Sequence, residues 1–522
     1  MKLINPEFHM RFLIIFSLIM LSACTGRFTS AVDPASDAPE HLKANLTFLA
    51  SDLMQGRETA TYGEQLAAGF ISSRLKLYGL HPYGEEGYLS KVPFVKTGTD
   101  SSSSFQLTSR GHPVTYRVNK DFWVYSTGDS TGPLSHPLVF VRYGITDSSY
   151  QYDDYAGLDV KGKTVVMVLG EPHRANDTTF FKGDKPTRWS FSSRFRRQLA
   201  REKGAAGIIV LLSPAGLKQI NMFKAFFTRE RIALASDARP KSNIPQVLMD
   251  TTAAKRLMGM PDFNYTEMYE KLTASDFHTP RALAPSIQWH LKTYTRHATG
   301  HNIVALLPGT DPSVSDQYVM VSAHYDHLGT RNGTVYNGAD DNGSGSVTIL
   351  ETARQLALLK QNRRPVLFVW FTGEEKGLLG SSYLTDHAPF IDSVMVDINM
   401  DMVGGGATDS IYVLGSGRIN KRFYDLVEQA NRQGPRLIFN YSLDDENDPQ
   451  RIYYRSDHWN FAKKGIPIVF FFDAYMAHYH DPSDDVQTIN FDKLENAVRL
   501  TREVALKSAN VDEKIERGPV AD

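Results

Sequence analysis

Cysteine is almost absent: the 522 residues contain one, Cys24. That excludes an intrachain disulfide and any zinc cluster built from cysteines. A charge imbalance is also missing. Lys and Arg number 57 against 58 Asp and Glu, a formal net charge of −1. Without a long basic run the chain lacks the electrostatic footprint of a nucleic-acid binder, and no nucleic-acid partner is expected. The longest apolar stretch near the start, residues 12–21, is far short of the roughly 20 residues a helix needs to cross a bilayer. What is present is an ordinary globular balance, 42% apolar and 22% charged. At about 100 to 200 residues per domain, the length suggests two or three domains with a sizeable core.

The opening stretch reads as targeting rather than fold. Arg11 precedes the apolar run 12–21, which suits the core of a signal peptide. Leu21-Ser22-Ala23-Cys24 resembles a bacterial lipobox. On that resemblance residues 1–23 are a lipoprotein signal peptide, and Cys24 becomes the lipidated N-terminus. The expected location is a bacterial cell envelope, lipid-anchored to a membrane, on the periplasmic or outer surface. Residues 24–39, small and polar with Pro34 and Pro39, read as a tether.

Two helices are expected at about 41–53 and 64–78; in the second, Ala67, Phe70, Ile71 and Leu75 keep helical spacing and Gly79 stops it. Residues 97–104 (TGTDSSSS) read as a loop. From about 118 to 285 the texture changes to short β-rich runs such as 138–141, 164–169 and 208–212, between Gly and Asp punctuation. After 317, apolar strands alternate with helices: strands at 318–323, 366–371, 393–401 and 466–472. Runs such as VLFVWF and IVFFF suit strands buried on both faces. The expected fold class is therefore α/β: a helix-covered mixed, mostly parallel sheet formed by 40–117 and 286–510, with a β-rich insert at 118–285 and a polar tail at 511–522.

Four of those strands run into histidines or acids. The first leads to His324-Tyr325-Asp326, the second to Gly373-Glu374-Glu375, the third to Asp401 and the fourth to His478-Tyr479-His480-Asp481. Asp340 and Asp341 precede a helix starting near Ser344. In open α/β sheets, ligands gather at the carboxyl ends of strands. Histidines and carboxylates without cysteine suit zinc or a similar divalent ion in a mixed N/O site. Five inward donors, one able to bridge, suggest two ions, as in two-metal hydrolases.

The strings His324-Tyr325-Asp326, GADDNGSG (338–345), FTGEEKGLLGS (371–381), NMDMVG (399–404), SDHWNFAKKGIP (456–467) and YHDPSD (479–484) closely resemble metallopeptidase family 28 in order and spacing. Segments 50–71 and 300–310 also look like that family. The insert resembles a protease-associated (PA) domain in 153–172, 200–214 and 244–250. The family includes co-catalytic zinc aminopeptidases, glutamate carboxypeptidase and the catalytically silent transferrin receptor. The resemblance implies a zinc exopeptidase with two Zn²⁺ per chain; cobalt or manganese would fit similar ligands. Asp340 would bridge the ions, His324 and Asp401 would complete one, and Glu375 and His480 the other. Asp326 would orient His324. Glu374 would be the general base acting on a bridging hydroxide or water, and Tyr453 would donate to the oxyanion. The implied substrates are peptides with a free N-terminus.

His327, His458 and His478 match no ligand position and read as packing or solvent-facing. Arg296 and Arg455 could hold a substrate carboxylate, against a default of ordinary ion pairs. Arg455 keeps open a carboxypeptidase of the glutamate carboxypeptidase type. A glutaminyl cyclase on this core lacks the insert and uses one zinc. A non-catalytic receptor-like scaffold has lost its ligands, whereas here the ligands and the base are present.

Overall fold

The computed structural model describes residues 35–519, except 110–111, 127–133, 173–180, 182–186, 192, 213–217, 219–229, 238–243 and 250–285. The stretch read as a signal peptide, the lipobox-like string with Cys24, most of the expected tether and the last three tail residues lie outside the described residues. Among those described, no helix is long and apolar enough to cross a membrane.

The chain forms two compact units, 1–92 with 300–522, and 93–299. The second begins before residue 118 and ends beyond 285. Both boundaries fall inside strands, Leu89–Thr99 and Thr293–Leu307. A strand that runs through a boundary leaves no turn or change of composition to mark it. For the same reason 97–104 is only partly a loop: Thr97 to Thr99 finish a strand and the next starts at Ser104.

The first unit is a helix-covered sheet. Its elements are α1 (Ala38–Leu49), α2 (Tyr62–Leu77), β1 (Thr293–Leu307, from residue 300), β2 (Tyr318–His324), α3 (Gly345–Leu359), β3 (Val366–Phe371), α4 (Leu379–His387), β4 (Val394–Met400), β5 (Ser410–Leu414), α5 (Lys421–Gln433), β6 (Ile438–Asn440), β7 (Ile468–Phe472) and α6 (Phe491–Ala509). The strand order is β1-β3-β2-β4-β7-β5-β6. The four central strands β3, β2, β4 and β7 run parallel. β1 and β5 pair antiparallel at their flanks. Every residue of β3, β4 and β7 is buried, which explains why the β3 and β7 runs are continuously apolar rather than alternating. The helices supply the cover: Ala67, Ile71 and Leu75 of α2 and Val347, Leu350 and Ala353 of α3 lie in one core with Val321, Phe368 and Ile398 of the sheet. The Asn490 side chain caps α6 by accepting from the Lys493 N–H at 3.1 Å.

The second unit, by itself, has two larger sheets and a two-stranded one among its described residues. One larger sheet has five strands, with Thr164–Val168, Gly207–Leu211 and Gln246–Met249 parallel at its centre. The other has four, including the antiparallel pair Ser104–Ser109 and Ser286–His290. Phe105, Phe122, Val166, Ile209 and Trp289 share a core.

Candidate metal centre

Because β3, β2, β4 and β7 are parallel, their carboxyl ends meet at one edge of the sheet, and their exit residues converge there. β2 ends on His324. β4 leads into Asp401. Beyond β3, Gly373 takes φ +70° and turns the chain so that Glu374 and Glu375 follow at once. The loop before α3 brings Asp341, and the loop beyond β7 brings His480.

Two groups of donors form, and Asp341 belongs to both: His324 with Asp341 and Asp401, and His327 with Asp341 and Glu375. His324 Nε2 lies 3.3 Å from Asp401 Oδ1 and 3.5 Å from Asp341 Oδ1. On the other side, His480 Nε2 lies 3.3 Å from Asp341 Oδ2 and 3.1 Å from Glu375 Oε2. Donors bound tetrahedrally at about 2.0 to 2.1 Å would stand about 3.3 Å apart. Asp341 Oδ2 and Glu375 Oε1 are buried with no hydrogen-bond partner among the described residues. Buried acceptors without donors are costly unless a cation meets them. The donor set, its spacing and these orphaned oxygens fit a pair of divalent ions.

Four of the five predicted ligands, His324, Glu375, Asp401 and His480, stand in this cluster. The fifth, Asp340, does not. Its Oδ1 accepts from the Gly404 N–H at 2.8 Å, turned away from the imidazoles, and the neighbouring Asp473 and Asp484 charges add to burial in raising its carboxyl. Asp341 takes the bridging place. The loop is held by Asp484, whose two oxygens accept from the Asp340 and Asp341 N–H groups at 2.8 and 3.0 Å. Asp326 lies behind His324 as expected, but the imidazole Nδ1 meets its backbone carbonyl at 3.1 Å, while its carboxylate stands 3.7 Å away. That carboxylate instead accepts from the Thr59 hydroxyl at 2.7 Å and from the Glu374 N–H at 3.1 Å. Tyr453 is displaced as well. It is buried beneath the Arg418 guanidinium, 3.9 Å from its ring centre, and the phenol that lines the cleft belongs to Tyr479.

The adjacent glutamates are driven apart electrostatically. Burial raises the Glu374 carboxyl well above its ordinary range, the Asp401 and Glu375 charges add to this, and His324 opposes it. Burial acts on Glu375 too, but His327 and His480 outweigh it and pull its carboxyl well below. Two neighbouring carboxylates with opposed environments suit two roles, one holding a proton and one binding a cation. Glu374 Oε2 lies 3.9 Å from His324 Nε2.

Several supports carry no motif that spacing alone exposes. Arg57 is fully buried and donates to four carbonyls: Tyr325 and Leu49 at 2.7 Å, Asn337 at 2.6 Å and Gly338 at 2.8 Å. It ties the segment after α1 to both loops that carry the donors. The Ser456 hydroxyl donates to Asp401 Oδ2 at 2.7 Å, which orients that carboxylate. Beside the donors opens a small cleft of about 40 Å³. Asp341, Glu374, Asp401 and His480 form its floor, Met402, Ile452, Phe470, Phe472 and Met476 an apolar wall, and Arg455 lines it with Tyr479. Arg296, by contrast, pairs with Glu230 in the second unit at 2.5 Å.

Residues 302–505 match the model of peptidase family M28. Leucine aminopeptidase 1 of Trichophyton rubrum is 31% identical over 214 residues, 38% of this chain and 56% of that protein. A probable leucine aminopeptidase of Arthroderma otae is 31% identical over 210 residues, 38% of this chain and 54% of its own length. The chain thus spans little more than half the length of the curated relatives it matches. Among solved structures, an aminopeptidase from Aneurinibacillus sp. strain AM-1 superposes with a TM-score of 0.54 at 20% identity, covering 92% of this chain and 96% of that one. A zinc aminopeptidase from Bacillus subtilis gives 0.50 at 20% identity, over 89% and 94%. Those two share the fold. Over residues 302–505 this chain is similar to peptidase family M28.

Proposed function

We propose that the chain is a zinc-dependent aminopeptidase that removes N-terminal residues from peptides. One observation carries the reading: a single carboxylate, Asp341, is shared by two donor groups, and Glu374 stands free beside them. The names of the curated relatives, leucine aminopeptidases, support it, as does the zinc aminopeptidase fold. His324, Asp341 and Asp401 would hold one ion; Asp341, Glu375 and His480 would hold the second. Bound there, two ions would supply Lewis-acid polarisation of the scissile carbonyl and a water acidified toward neutral pH.

The protein's own groups do the rest. Glu374, held high by burial and neighbouring charge, takes and returns a proton at its Oε2 as general base and then acid. Asp326 fixes where it stands by accepting from the Glu374 N–H. The carboxylates of the floor attract the ammonium of a free N-terminus. The wall of Met402, Ile452, Phe470 and Met476 receives an apolar first side chain and excludes water. Tyr479 offers a phenol to the developing oxyanion.

Arg455 favours one alternative, a carboxypeptidase, because an exposed guanidinium on the cleft can hold a terminal carboxylate. The same leucyl reporter offered free and N-blocked separates the two. An aminopeptidase cleaves only the free form; cleavage of N-blocked peptides from their C-terminus would replace the proposal with the alternative. The second unit is proposed as a PA domain on the resemblance of residues 153–172, 200–214 and 244–250 to that domain. Anchoring at a bacterial envelope through Cys24 is proposed on the lipobox-like string alone, and incorporation of a radiolabelled fatty acid that Cys24→Ala abolishes would test it.

A further inference from the structure

His327 lies three residues beyond His324, on the turn that leaves β2. The two imidazoles flank Asp341 from opposite sides: His324 Nε2 stands 3.5 Å from Oδ1, and His327 Nδ1 stands 3.8 Å from Oδ2. His327 Nδ1 also lies 2.7 Å from Glu375 Oε1. His327, Asp341 and Glu375 each offer one donor atom, and these atoms all lie within 4.8 Å of one another. Three donors this close are placed as ligands facing a common cation are placed. The ring is fully buried. Its backbone N–H donates to the Arg57 carbonyl at 3.2 Å. Gly338 packs so close to the ring that an added Cβ would come within 2.5 Å of His327 Cγ. A buried, rigidly held imidazole aimed at two buried carboxylates is an expensive way to fill space.

We propose that His327 is a direct ligand of the ion held by Asp341, Glu375 and His480, an inference that rests on the two-ion reading above. The two positions are then unequal. His327, Asp341, Glu375 and His480 give the second ion four protein donors, enough to fill a tetrahedron. His324, Asp341 and Asp401 give the first ion three, which leaves an open position on the side where Glu374 stands 3.9 Å from His324. The His327 side binds its ion tightly and serves mainly to hold Asp341 in place. Substrate and water meet the protein on the His324 side.

The test uses the full chain loaded with zinc and needs no turnover. X-ray absorption at the zinc edge counts imidazoles per ion: three shared by two ions are expected, and two shared by two ions would overturn the assignment. Chelator competition then ranks the ions. His327→Ala should weaken one of them by about 100-fold or more and leave the other unchanged. His327→Asn keeps a hydrogen-bond donor near the Nδ1 position, so it should behave like the alanine variant. Wild-type affinity in His327→Asn would reduce the residue to an orienting contact on Glu375 and sink the proposal. Two ions with three imidazoles in a protein inert toward peptides would remove the peptidase reading and keep His327; a chain that takes up no zinc would remove both.

Discussion

Both units bury acids, and they do so in contrasting ways. In the second unit, Asp147 accepts from the Ser149 N–H and hydroxyl at 3.1 and 2.6 Å, from the Trp189 indole at 2.8 Å and from Arg188 at 2.9 Å. Burial pushes its carboxyl up, yet these donors outweigh it and hold the group down at about 2. Glu171 is similarly met by the N–H and hydroxyl of Thr187. In the first unit, Asp341, Glu374, Glu375 and Asp401 crowd one edge of the sheet, and Asp341 and Glu375 face imidazoles that are themselves metal-ligating groups. A buried carboxylate is therefore no sign of function by itself. The sign is a set of them crowded together around imidazoles, an arrangement whose mutual repulsion a bound cation offsets.

The sharpest way to break the comparison is to neutralise neighbours that face different ways. Asp341→Asn should cost both ions and bring peptide hydrolysis to background, whereas Asp340→Asn should keep two ions; zinc content by mass spectrometry reads both. Loss of zinc in the Asp340 variant alone would return the bridge to Asp340. Next come the two glutamates. Glu374→Gln should lower kcat by about 10² to 10⁴-fold with zinc retained. Glu375→Gln should weaken one ion by about 100-fold or more. A smaller effect is expected at His458, whose Nε2–H donates to the Tyr453 carbonyl at 2.8 Å. Burial lowers its imidazole to about 4 from an ordinary 6.5. The unfolded chain then takes up the proton first, so stability is complete above about pH 6.5 and declines by about 3 kcal/mol as the pH falls to 4. Urea midpoints across that range, compared with His458→Asn, should show the slope in the wild type and not in the variant. The least effect belongs to the second unit. Asp147→Asn should cost about 1 to 2 kcal/mol at neutral pH, a contribution present above about pH 3.8 and lost as the pH falls toward 2. Zinc content and kcat should not move.

Much of this was legible from sequence because two signals are strong. Continuous apolar runs mark strands buried on both faces, and the four central strands fall within two residues of their expected bounds. Parallel strands then carry their exit residues to one edge without further information. Side-chain direction in an irregular loop is a different matter. Asp340 and Asp341 are the same residue type side by side, and the Gly404 N–H, remote in sequence, holds the Asp340 carboxylate away from the imidazoles. Tyr453 sits at the expected distance from Ser456, but Arg418 covers its ring, and Arg418 is remote in sequence. His327 follows His324 in the chain in a turn with no period to read, so nothing in its spacing separates a ligand from a packed ring.

The central claim is that two cations sit on either side of Asp341. Crystals of the zinc-loaded chain measured at the zinc absorption edge test it directly. Two anomalous peaks about 3.5 to 4 Å apart, one beside His324 and Asp401 and one beside Glu375 and His480, are expected. A single peak, or peaks away from the Asp341 carboxylate, would contradict it.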